Sequence, residues 1–137
     1  MTPSPQLSPP PRAKRSFWHS LRVALTGAGH VLRTERNAQI EGAIALLAIG
    51  LGIWLRITRP EWAVIFTLIG LVLGLEMVNT AIEAAVDLAC PEQHPLAKKA
   101  KDSAAGAVVV AAISSVAVGL VIFLPRLWLV VLYALGL

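Results

Sequence analysis

Residues 62–90 form a run of roughly 29 residues, about 43 Å as an α-helix and apolar enough to cross a bilayer. Yet Glu76, Asn79, Glu83 and Asp87 stand inside it or at its end. Their spacing is i, i+3, i+7, i+11. At about 100° per residue the four fall within roughly 80° of arc, one polar stripe about 16 Å long on one helix face. A carboxylate in hydrocarbon costs several kcal/mol, so such a stripe faces protein, water or a cation and marks function. A polar network that merely fixes helix packing would explain one such residue more easily than four in register.

Two further apolar runs, at 38–57 and 103–124, are each about as long as the hydrocarbon is thick. With 137 residues, 56% hydrophobic and only 15% charged, one domain is expected, and membrane insertion is favoured over an unusually apolar soluble bundle. The expected fold class is an all-α integral membrane protein with spans at about 38–57, 62–90 and 103–124. Residues 1–15 are rich in proline and basic side chains and read as a disordered tail with no apolar core of a signal peptide behind them. Residues 16–34 place Phe17, Leu21, Leu25 and Val31 on one side and Arg22, His30 and Arg33 on the other. That pattern predicts an amphipathic surface helix, lying in the membrane interface or packed on the protein's own face, with Gly27 and Gly29 as places where it could bend. Residues 35–137 form the membrane domain. Arg56 to Glu61 is a short turn broken by Pro60 and flanked by Trp54 and Trp62, the pattern of an interfacial hairpin. Residues 91–101 read as a polar loop, and Pro125-Arg126 is expected to end the third span, with the apolar tail 127–137, too short to span, either extending the third helix or lying in the interface.

Topology follows from the basic residues. Nine Lys and Arg lie in the N-terminal segment and the 91–101 loop, against Arg56, Arg59 and Arg126 on the other side. The N-terminus and the second loop are therefore expected in the cytoplasm. The net charge of +4 suits an anionic membrane surface, and no interleaving of aromatic and basic residues for nucleic acid is visible. The single Cys90 cannot form an intrachain disulfide, and no Cys/His metal spacing exists.

This orientation gathers seven of the eight acids at one interface, all but Glu61. Carboxylates at that density need cations. Oxygen ligands without thiols favour Mg²⁺ over zinc, and Mg²⁺ on one or two carboxylates commonly also holds phosphates, which points to a nucleotide. Glu76 lies about 10 Å deeper than Glu83, where a poorly hydrated carboxylate suits a general base facing a lipid head group. Glu35 and Glu41, six residues apart, are expected to point in different directions and need not serve one site. No P-loop and no protein-kinase signature is present. A non-catalytic helical membrane subunit, its acids lining a cation path, is compatible with the stripe alone.

The string Glu76-Met-Val-Asn79-Thr-Ala-Ile-Glu83-Ala-Ala-Val-Asp87, then Glu92-Gln-His94-Pro-Leu-Ala-Lys-Lys-Ala-Lys101-Asp102, resembles the bacterial diacylglycerol kinase family. Glu35-Arg-Asn37 fits its earlier motif, and the resemblance covers about residues 21–126. It implies a homotrimer of three-span subunits with a surface helix, transferring the γ-phosphate of MgATP to a membrane lipid hydroxyl in the bacterial inner membrane. On that resemblance Glu76 matches the proposed catalytic base, and Glu35 and Glu83 match the metal-holding acids. Lys101 and Asp102 match nucleotide-contacting positions, Lys101 towards the phosphates. Glu92 and His94 match positions near the nucleoside. Asn79 and Asp87 match polar positions that shape the site, and Glu41 stands where some relatives carry an acid and others His. The segment from His94 to Asp102 and the ending Ile122-Phe-Leu-Pro-Arg126 resemble the branch preferring undecaprenol over diacylglycerol. Because one small subunit offers the stripe few partners, Glu35 is expected to complete the site around Glu83 of an adjacent subunit.

Overall fold

The computed structural model describes residues 16–136, so the tail at 1–15 lies outside the described residues. Four helices follow in order: α1 (Phe17–Thr34), α2 (Arg36–Trp54), α3 (Arg59–Ala89) and α4 (Pro95–Ala134). The last three are each long and apolar enough to cross a membrane. The chain is therefore a multi-pass helical membrane protein.

Local sequence sets the helix ends. Glu35 adopts an extended backbone between α1 and α2. The Gln39 side chain reaches back to the Arg33 carbonyl at 2.9 Å and pins that corner. At the start of α3, the Thr58 N–H and hydroxyl both donate to Glu61 Oε2 at 2.7 Å, half of a capping box beside Pro60. α1 runs unbroken through Gly27 and Gly29.

Two boundaries differ from the sequence reading. The 91–101 loop is shorter than expected, because α4 already starts at Pro95. Proline is pre-organised for the first helical position, and His94 Nδ1 accepts the Leu96 N–H at 3.2 Å as a cap. Lys98, Lys99, Lys101 and Asp102 are thus helical. At the other end α4 passes through Pro125 to Ala134, beyond the expected end of the span, so the apolar tail extends the third helix, one of the two fates expected of it. Pro125 deprives the Val121 carbonyl of its intrahelical donor, a loss that a helix in apolar surroundings tolerates when polar groups lie close by. Here Arg126 Nη1 donates to the Ile122 carbonyl at 2.8 Å.

α3 is the central helix, packed most closely against α4 and less so against α2, while α2 and α4 barely meet. The core lies at the end remote from the acids. Ile57, Ile65, Ile122 and Phe123 are buried there, with Leu51, Trp62 and Leu127 packed around them. Gly52 belongs to this contact: a Cβ there would sit 2.8 Å from Trp62 Cη2 and 3.0 Å from Ile57 Cδ1. A side chain at Gly52 would have to displace the indole and Ile57, so Gly52→Val is expected to destabilise the protein by about 1–3 kcal/mol through overpacking. Thermal unfolding in detergent measures this, and Trp62→Phe in the same chain should recover part of the loss.

Candidate active site

The α3 stripe forms a gradient from interior to surface. Glu76 is 3% exposed and Asn79 7%. Glu83 is half-buried and Asp87 exposed. One helical face carries all four, so the next turn always presents a polar partner to the previous one. Asn79 Nδ2 donates to Glu83 Oε1 at 3.1 Å. Asn79 Oδ1 is buried with no partner among the described residues.

The α1–α2 corner supplies the opposite wall. Glu35 lies close enough to Glu76 to interact with it electrostatically, as does Glu83, and the Asn37 side chain is placed against the Glu76 carboxylate. Glu41 also lies beside Glu76, with its Oε2 buried and unpartnered among the described residues. Glu35 and Glu41 therefore both lie within electrostatic reach of Glu76, although six residues on one continuous helix would point them apart. Helical periodicity does not apply across Glu35, whose extended backbone lies outside both helices. Within one chain, Glu35 is thus already within electrostatic reach of the stripe. Asn37 was not singled out from the sequence. Its signal was its place in the Glu35-Arg-Asn37 triplet, in the first turn of α2.

The electrostatics of the cluster are unusual. Among the described residues the ion pairs are Lys101–Asp87 at 2.6 Å and Arg126–Glu61 at 2.8 Å. Glu35, Glu41, Glu76 and Glu83 thus have no basic partner there. Nor, among the described residues, do three His, Cys, Asp or Glu side chains converge to hold a metal by themselves. Hard oxygen donors arranged this way suit a hard cation that takes one or two carboxylates and completes its shell from water or phosphate.

One turn beyond Glu83, the α3–α4 junction opens into a cleft of about 610 Å³ lined by Asp87, Glu92, His94, Lys98, Lys101 and Asp102. It brings together the residues the sequence assigned to the nucleotide. His94 spends Nδ1 on capping α4, which leaves Nε2 for any other contact. Lys101 is held by Asp87, so an anion entering the cleft competes with a carboxylate for it. On the membrane side of Glu41 an apolar groove of about 380 Å³ runs between α2, α3 and α4, past Ile44, Leu51, Val72, Ser115 and Phe123.

A cleft with a lysine, an acid cluster without basic partners among the described residues and an apolar groove leading away suit a membrane protein that brings a polar phosphate donor to an apolar acceptor. Comparison with known proteins agrees. The model of the prokaryotic diacylglycerol kinase family matches residues 22–123. The chain is 48% identical over 113 residues to the undecaprenol kinase of Bacillus subtilis (strain 168), covering 82% of this chain and 89% of that one. It is 40% identical over 109 residues to the diacylglycerol kinase of Synechocystis sp., covering 79% and 62%. To the diacylglycerol kinase of Escherichia coli (strain K12) it is 34% identical over 99 residues, covering 72% and 75%. The chain belongs to the prokaryotic diacylglycerol kinase family and is an ATP-dependent lipid kinase.

Proposed function

We propose that this protein phosphorylates undecaprenol at the cytoplasmic face of the bacterial inner membrane, with Glu76 as general base and Glu35 and Glu83 holding Mg²⁺. The observation that carries this reading is the buried carboxylate Glu76, flanked by acids without basic partners among the described residues and set between a charged cleft and an apolar groove. The lipid lies with its chain along the groove and its hydroxyl at Glu76. Glu76 takes the hydroxyl proton as the lipid oxygen attacks the γ-phosphorus. The new oxygen–phosphorus bond forms as the bond to the β-phosphate oxygen breaks, and ADP leaves from the cleft. Asn79, bonded to Glu83, and Asn37, placed against Glu76, fix the two carboxylates relative to each other. Glu41 closes the groove beside Glu76. Asp87 orients Lys101 for the phosphates, Asp102 joins it there, and Glu92 and His94 border the nucleoside. Mg²⁺, when bound, screens the charge of the phosphate oxygens and of Glu35 and Glu83. The fit rests on the donor set, two carboxylates with no competing cation among the described residues.

The choice of undecaprenol rests on similarity to the Bacillus subtilis enzyme. Relatives named diacylglycerol kinase make phosphatidic acid synthesis the second reading. The distribution of basic residues supports a cytoplasmic N-terminus. Exposed Phe17, Trp18 and Leu25 on α1 support a helix lying in the membrane interface. A homotrimer is proposed on the family resemblance. Purified protein in lipid, supplied with labelled MgATP and either alcohol, tests the substrate. Labelled undecaprenyl phosphate as the faster product is expected, labelled phosphatidic acid alone reverses the choice, and no labelled lipid removes the kinase mechanism.

A further inference from the structure

The two ion pairs tie α3 and α4 together at both ends, Asp87 to Lys101 and Glu61 to Arg126. They lie about 38 Å apart along the helices. Beyond Arg126, α4 continues to Ala134, about 12 Å past the Glu61–Arg126 pair. Residues 127–137 carry no charge. Trp128 is 62% exposed, Leu129 65%, Val131 47% and Tyr133 88%. If the hydrocarbon ended at the Glu61–Arg126 pair, this whole segment would stand among head groups and water. A slab about 30 Å thick would then reach to about residue 81 of α3, with Glu76 well inside it.

The ion pair itself argues otherwise. Glu61 Oε2 accepts from the Thr58 N–H, the Thr58 hydroxyl and Arg126 Nη2, and the other arm of Arg126 donates to the Ile122 carbonyl. The pair is neutral, closed and largely covered, 24% and 29% exposed, as a charged pair below a membrane surface must be. Arg56 and Arg59, in the turn above it, are long enough to snorkel to the head groups.

We propose that residues 127–134 are embedded in the hydrocarbon of the leaflet opposite the carboxylates, and that this extension, not the charged turn, sets the depth of the protein in the membrane. With the hydrocarbon edge near Tyr133, a 30 Å slab ends at about residue 113 of α4. The register of the two ion pairs places that level opposite Glu76. Glu76 then lies at the inner edge of the hydrocarbon, where an apolar chain and an aqueous phosphate can both reach. The extension lies beyond the segment matched by the family, and the inference rests on the membrane-spanning fold alone, independent of the kinase mechanism.

The test is a nitroxide label at Leu129→Cys, Val131→Cys or Tyr133→Cys in full-length Cys90→Ser protein, reconstituted in bilayers, with a label at Gln93→Cys as the aqueous reference. All three sites are exposed in the chain, so a label displaces no packing, and Tyr133→Cys serves if the other two fail to fold. Collisions with lipid-soluble oxygen and with a water-soluble nickel chelate are compared. The expected result is a severalfold higher oxygen-to-nickel ratio at the three sites than at Gln93→Cys. A ratio equal to that at Gln93→Cys, meaning a segment in water, would overturn the proposal. So would shielding from both reagents, meaning that another protein surface covers it.

Discussion

Glu76→Gln is expected to lower lipid phosphorylation by about 10²–10⁴-fold, the usual contribution of a general base, while leaving the helices and MgATP binding nearly unchanged. The amide has the size and shape of the carboxylate, so the packing around this buried position survives. What is lost is the capacity to accept the hydroxyl proton. The cleft at the α3–α4 junction does not include Glu76, so nucleotide affinity should not follow activity down. Turnover with undecaprenol and direct nucleotide titration separate the two quantities. A variant keeping more than about a tenth of wild-type turnover would remove Glu76 from the role of base.

Glu83→Ala and Glu35→Ala are each expected to raise the Mg²⁺ concentration for half-maximal activity by at least about tenfold. Loss of an outer-sphere partner alone typically costs ~10–100-fold in metal affinity, and these variants remove a ligand. Glu83→Ala should be the more disruptive, because it also strips Asn79 of its hydrogen-bond acceptor and leaves a buried amide with neither group paired among the described residues. Glu35 is half-buried at a corner held independently by Gln39, so Glu35→Ala should keep its fold and show the metal effect in isolation. Mg²⁺ titrations at saturating lipid measure both. An unchanged titration and full rate would strike that residue from the metal site.

Much of this site was legible from residue types because α3 is a long helix, and a helix converts spacing into direction. Glu76, Asn79, Glu83 and Asp87 share a face in the sequence and in the fold. The same arithmetic failed at Glu35 and Glu41, since one of them sits in the corner between two helices. It also passed over Asn37, an amide in a helix's first turn that acquires meaning only from the carboxylate opposite. The ends of α4 are less legible for a related reason. Pro95 and Pro125 are the same residue type, yet one opens a helix and the other is carried inside it. The difference lies in what surrounds each, a capping His94 at one end and Arg126 at the other.

The sequence by itself determined the membrane-spanning helices, the polar stripe and the family, because hydropathy, helical period and motif spacing are local properties that survive without knowledge of neighbours. Only the tertiary structure decided which carboxylates meet and which are neutralised. Whether an acid finds a lysine, as Asp87 does, or stands with other acids and no basic partner among the described residues, as Glu76 does, depends on the register between helices far apart in the chain. That register is fixed by packing at the opposite end, around Gly52, Trp62 and Phe123, where no residue takes part in the chemistry.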